Sequence, residues 1–158
     1  MMNVNRKIIL IKGGLAMATK QYVVFGIEDE SFALDIEKVK EIIIPVEIAK
    51  VPNVPEFIEG MINIRGKIHA VVNMRSKFKI PKKDFDEGTK IILVNMNSVL
   101  AGIIVDGVAE IIRVEAEDID KAPEIISKAN PEYINGVIKK EGKMVIILDI
   151  DRVINSAA

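Results

Sequence analysis

The chain has 158 residues, enough for one ordinary domain or two very small ones. Hydrophobic residues make up 49% of it, so a packed core is within reach and extended disorder is excluded for most of its length. With 22 basic and 23 acidic residues, 4% aromatics and no cysteine, it offers no electrostatic pull toward nucleic acid or anionic lipid, few base-stacking platforms, and no disulfide, thiolate or zinc–thiolate chemistry.

The first 18 residues, "MMNVNRKIILIKGGLAMA", combine a basic start with the four-residue apolar run "IILI", too short for a secretory signal. "KGGLAM" is what a purine-rich ribosome-binding site spells when translated, so the expected start is Met17 and residues 1–18 are expected to be a disordered or mis-assigned extension. No apolar run reaches the ~20 residues needed to span a bilayer, so no direct membrane insertion is expected. From there "QYVVFGI", "FALDI" and "KVKEIII" read as strands, the first two joined by the polar turn "EDES" and the last two by a short helical turn. A proline-bearing loop leads to the hairpin "GMINIRGKI" and a last apolar strand. "KFKIPKKDFDEG" is a polar joint, after which the same plan recurs, ending on "DIDRVINSA", a short C-terminal helix.

The recurrence is a duplication. "PEFIEGMINIRGKIHAVVNMR" (Pro55 to Arg75) aligns without gaps on "PEYINGVIKKEGKMVIILDID" (Pro131 to Asp151) at an offset of 76, with seven of 21 positions identical. Upstream, Val24 to Ile43 aligns on Leu93 to Ile112 at an offset of 69, matching Val39 to Val108, Glu41 to Glu110 and Ile42 to Ile111. The copies cover about residues 20–78 and 89–154 of a unit at 19–156. Short strands with Gly and Pro punctuation, and 29 isoleucines, predict an all-β fold of two five-stranded β-barrels related by the duplication, with strands free to exchange between them.

Residues shared by both copies serve folding. Gly60 and Gly136, and Gly66 and Gly142, match and are expected to be structural turn glycines. The copies differ at the hairpin tip, where Asn63-Ile64-Arg65 faces Lys139-Lys140-Glu141. The second tip reads as an ordinary solvated turn. The first sets an apolar residue between an amide and a guanidinium, whose planar fork suits a carboxylate.

"GMINIRG", with "DIEKVKEI" before it, "VDGVAEI" in the second copy and "ILDIDRVI" at the close, resembles the CheW family of chemotaxis coupling proteins over nearly all of residues 19–155. The resemblance implies SH3-like barrels and a non-enzymatic, cytoplasmic adaptor recruited to membrane receptor arrays, with no cofactor. It would join the cytoplasmic tip of methyl-accepting chemotaxis receptors to the regulatory domain of the histidine kinase CheA, with no nucleic acid partner. It implies an Arg65–Glu41 pair. It also implies a receptor- and kinase-coupling surface of Arg65, Glu41, Asn63, Ile64, Val39, Ile42, Val108 and Ile111.

Plainer readings stand beside these. Arg65 could be an exposed turn residue, and Ile42 and Ile111 could belong to the core. Lys90 reads as a strand-edge charge and His69 as a strand residue with no second histidine to make a metal site. "EAEDID" lacks the glycine and spacing of a calcium loop. The competing function is a small β-barrel enzyme or ligand-binding module using acids such as Asp35, Asp106 and Asp149. Asp35 and Asp106 fall near each other in the repeat alignment, which favours structural roles for both.

Overall fold

A computed structural model describes residues 19–96, 99–121, 124 and 126–156. The expected extension at 1–18 lies outside the described residues. In chain order the strands are β1 (Thr19–Ile27), β2 (Glu30–Asp35), β3 (Val39–Ile43), β4 (Ile58–Ile64), β5 (Lys67–Asn73), β6 (Lys90–Met96), β7 (Val99–Val105), β8 (Gly107–Glu115), β9 (Ile119–Asp120), β10 (Ile134–Lys140) and β11 (Lys143–Leu148). Two short helices, α1 (Met74–Lys77) and α2 (Ile150–Asn155), follow β5 and β11. Each begins on a side-chain cap: Asn73 accepts from the Ser76 N–H and Asp149 from the Arg152 N–H.

The strands form a five-stranded sheet in the order β3-β6-β7-β5-β4 and a six-stranded sheet in the order β8-β1-β2-β11-β10-β9. Equivalent strands of the two repeats occupy equivalent places, but each sheet combines the first two strands of one repeat (β6 and β7, or β1 and β2) with the later strands of the other. The register repeats too: parallel β5 and β7 align Ala70 with Ala101, and parallel β2 and β11 align Ile146 with Phe32.

Most strands are covered on both faces, which is why their cores are continuous apolar runs such as "IILV" and not alternating patterns. In β6, Ile91 and Leu93 point into a cluster enclosed by the five-stranded sheet, with Ile62, Val71 and Ile104. Ile92 and Val94 point the other way, into a central cluster between the sheets that includes Phe25, Phe32, Phe78 and Tyr133. Tyr22, Val24, Ile138 and Val145 belong to a third cluster, inside the six-stranded sheet.

The expectation of two closed five-stranded barrels is corrected: both sheets are open. The strand that closure would require is displaced by the connecting segment. Between β3 and β4 the chain doubles back and Ala49 pairs with Met61, at 2.9 and 2.8 Å, on the outer edge of β4. β9 pairs with β10 at the equivalent place, Asp120 opposite Val137. With those edges occupied, β3 and β8 keep free outer edges.

The glycine assignment divides. Gly66 and Gly142 lie at hairpin turns. Gly60 and Gly136 lie inside β4 and β10, at register shifts, and are not turn residues. The returning segment crosses there: a Cβ on Gly60 would sit 2.2 Å from the Ala49 carbonyl oxygen, and φ is +155°. At Gly66 φ is +86° and the space around it is open. Gly60→Ala is therefore expected to cost more than about 3 kcal/mol, and Gly66→Ala only about 1–2 kcal/mol from backbone strain. Chemical denaturation of the two variants checks the order; equal costs would mean that the crossing segment yields freely.

Candidate functional site at the open end of the five-stranded sheet

The β4–β5 hairpin is a two-residue turn with positive φ at Arg65 (52°) and Gly66 (86°), the combination of a type I′ turn. Glycine adopts this region without penalty; an arginine there is strained by about 1 kcal/mol. Asn63 offsets part of that cost, because its Oδ1 accepts the Gly66 N–H at 2.9 Å and braces the turn. Ile64, between them, turns inward and packs on the enclosed cluster beside Ile43 and Ile48. The "NIR" triplet thus serves three tasks: a turn brace, an apolar plug and a projecting cation.

The cation bridges the gap in the sheet. Arg65 donates from a terminal guanidinium nitrogen to Glu41 Oε1. Glu41 lies on β3, the first strand of the sheet, and Arg65 at the tip of the last, so a charge-assisted contact spans the ends that no backbone hydrogen bond joins. The Arg65 side chain is 70% exposed and that of Glu41 32%, so the pair is worth about 0–1 kcal/mol. In the six-stranded sheet Glu110 and Glu141 hold the equivalent positions, and no such pair forms between them.

The four apolar candidates do not share one environment. Val39 and Val108 are half-buried against the central cluster, at the starts of the two edge strands. Ile42 and Ile111 are exposed, at 36% and 49%, which excludes the core reading for both. Further large apolar side chains that sequence reasoning missed are exposed nearby in the chain: Ile44 just after β3 and Ile68 on β5, opposite Asn63. Its equivalent in the second repeat, Met144, is also exposed.

The other charged candidates are engaged in structure. Asp35 accepts from the Glu37 N–H and Asp149 caps α2. Asp106 accepts two hydrogen bonds from Arg75 Nε and Nη2, at 3.0 and 2.8 Å, and one from the Glu28 N–H at 2.7 Å. Lys90 donates to the Glu87 and Gly88 carbonyls, and His69 is buried with its Nδ1 3.2 Å from the Lys67 carbonyl oxygen. "EAEDID" forms a 3-10 turn with a Glu115–Asp118 capping box. Among the described residues no cluster of His, Cys, Asp and Glu could hold a metal ion.

A sequence-family model for the CheW-like domain matches residues 21–158. The chain belongs to the CheW family. It is 33% identical over 137 residues to the chemotaxis protein CheW of Klebsiella aerogenes, covering 87% of this chain and 82% of the relative. It is 33% identical over 144 residues to that of Thermotoga maritima, covering 89% and 92%. Among solved structures it is similar to the scaffolding protein TtCheW from Thermoanaerobacter tengcongensis, with a TM-score of 0.81, 36% identity, and coverage of 87% and 93%. The chain is a non-enzymatic chemotaxis scaffold protein of this family.

Two outcomes test this geometry. Arg65→Gly removes a weak ion pair and relieves a strained φ, so the melting temperature should stay within about 2–4 °C of the parent value; a larger fall on a thermal melt would make Arg65 a structural residue. Burial opposes the charge on Asp106, but Arg75 and the Glu28 amide outweigh it and hold the carboxyl below its ordinary 3.8. A carboxyl depressed by folding stabilises the protein above its unfolded pKa, and the contribution is lost as pH falls through the folded value. Asp106→Asn should therefore cost about 2 kcal/mol at pH 7 and flatten the loss of stability between pH 5 and 3. Denaturant titrations across that range read both effects; an unchanged acid slope would show that Asp106 gains nothing from Arg75.

Proposed function

We propose that the chain couples the cytoplasmic tip of methyl-accepting chemotaxis receptors to the histidine kinase CheA, as an adaptor recruited from the cytoplasm to membrane receptor arrays. The observation that carries this reading is the Arg65–Glu41 bridge. It occurs in only one of two duplicated halves, adds little stability, and stands near exposed Ile42 and Ile68. The strained turn is common to both halves, with φ of 52° at Arg65 and at Glu141, so what sets this half apart is the ion pair, and a pair that contributes so little to folding suits recognition better. Membership of a chemotaxis scaffold family supports the same reading, and among the described residues no helix is long and apolar enough to cross a membrane.

In this reading the receptor's helical hairpin lays an apolar face against Ile42 and Ile111, with Val39 and Val108 supporting the strands beneath. Arg65, held by Glu41 and by the turn that Asn63 braces, sets the rim, and Ile64 anchors the tip from within. The kinase regulatory domain, itself CheW-like, packs against a sheet end through a modest interface of mixed polarity.

Arg65→Glu should leave the protein folded by circular dichroism yet abolish receptor-dependent kinase activation in a reconstituted assay. Exchanging the charges, with Glu41→Arg added, should restore part of it. Normal activation by the folded single variant would reduce Arg65 to an ordinary turn residue. Failure of the wild-type chain to bind the kinase regulatory domain by calorimetry at tens of micromolar would defeat the coupling role itself.

A further inference from the structure

Lys77 on α1 is only 4% exposed, and its repeat equivalent is Val153, fully buried in the central cluster. The fold asks for an apolar side chain here, and the first half places an ammonium instead. One of its three N–H donors goes to the Ser156 carbonyl, and the group lies 3.7 Å from the Phe57 ring centroid. No carboxylate pairs with it among the described residues. Burial and the charge of Lys79 both act against the ammonium. A buried charge without a counter-ion is costly, and the second half is built without one at this place. A pocket of about 400 Å³ opens beside it, where Lys77, Lys79 and Lys82 face a single carboxylate, Glu56. Lys79 is exposed and also lacks an ion pair among the described residues, and its repeat equivalent is Asn155. Lys82 lies 3.4 Å from Glu59. The wall that carries these lysines is held in place: the Ile80 N–H donates to the Arg75 carbonyl at 2.7 Å, and Arg75 Nη1 to the Pro81 carbonyl at 2.9 Å.

We infer that this pocket binds a phosphate group, with the Lys77 ammonium at its floor and those of Lys79 and Lys82 at its mouth. The charge that is missing is negative: three cations line the pocket against one acid, and the buried cation has no counter-ion. Lysine ammoniums are compact point charges, which suit the charge spread over the oxygens of a phosphate. The planar fork that selects a carboxylate is absent, because Arg75 is committed to Asp106 and Pro81. Ser76 lines the same wall and adds a hydroxyl donor, and Phe57 offers an apolar side to whatever group carries the phosphate. Glu56 is exposed at the rim and pairs with none of the three lysines among the described residues. The pocket lies where β4 begins and β5 ends, at the far end of that hairpin from the Arg65 turn, so the inference does not rest on the receptor–kinase reading.

Inorganic phosphate is the first probe, titrated into the full isotope-labelled chain at fixed pH and ionic strength with chloride as the balancing anion. The amide resonances of Phe57, Ser76, Lys77 and Lys79 should shift saturably in the millimolar range. O-phosphoserine is the second probe: tighter binding than phosphate assigns the site to an esterified group, equal binding assigns it to the free anion, and either supports the inference. Lys77→Met removes the charge and restores an apolar side chain, as in the second half. It should melt at or above the parent temperature and weaken phosphate at least about tenfold. Lys79→Gln, on the surface, should leave the melt unchanged and weaken phosphate about threefold. Lys143→Gln, on β11 of the other sheet, should bind as the parent does. Shifts that fail to saturate by about 50 mM phosphate overturn the inference. So do folded Lys77→Met and Lys79→Gln variants that bind like the parent, or a Lys143→Gln variant that loses as much affinity as they do.

Discussion

The parallel pairings of β5 with β7 and of β2 with β11 are the seams on which the rest of the molecule depends. Each joins the last strand of one repeat to the second strand of the other, so neither repeat completes a sheet alone. The seams also place Val72, Ile103, Phe32 and Ile146 together in the central cluster. At roughly 25 cal/mol per Å² of apolar surface removed from water, a cluster of that kind dominates stability, and here it forms only when both repeats are present. The consequence is a single cooperative unit built from two small motifs, each too short to bury such a core by itself.

The points where the chain passes from one sheet to the other are each tied to a helix by an ion pair, with the charges reversed. Arg75 on α1 holds Asp106 at the β7–β8 crossover, and Asp151 on α2 holds Lys38 at the β2–β3 crossover, at 3.0 Å. Arg75 and Asp151 are equivalent in the repeat. Duplication preserved the requirement for a clasp and let its polarity drift. The same freedom appears two residues on, where Val153 is fully buried and its equivalent is Lys77. Burial disfavours the Lys77 ammonium and lowers its pKa. The ammonium is nonetheless accommodated, 3.7 Å from the Phe57 ring centroid and donating to the Ser156 carbonyl, so it also fastens the C-terminal end of α2.

Much of this was legible in the sequence because the duplication acts as an internal control. Matched apolar runs marked the strands, and the mismatch of Arg65 with Glu141 marked the asymmetric tip without any other chain for comparison. What sequence could not show is how the connection after β3 folds back. The contact of Ala49 with Met61 is made by backbone atoms, which carry no residue code, so closed barrels were the simpler expectation. The close crossing did leave a trace in Gly60 and Gly136, but a glycine reads alike at a turn and at a crossing. Exposure of Ile42 and Ile111 was hidden for a related reason: edge strands carry isoleucine on both faces here, and alternation, the usual sign of a solvent face, is absent.

Closing a sheet by side chains leaves an end that can be altered at little cost to the fold. Backbone hydrogen bonds between β3 and β4 would have fixed that end regardless of sequence. The Arg65–Glu41 contact, half in water, contributes so little that its loss barely registers in stability, while its geometry is set sharply by a type I′ turn, a side-chain brace and an inward-facing isoleucine. The combination of weak energy and firm geometry is what a recognition surface needs, since partners select on shape and charge placement and the fold must survive changes in both. The second half, folded on the same plan, has Glu141 in place of the cation and Lys140 in place of the isoleucine, and keeps the glutamate. Two copies of one motif thus offer two chemically different ends on a core that tolerates either.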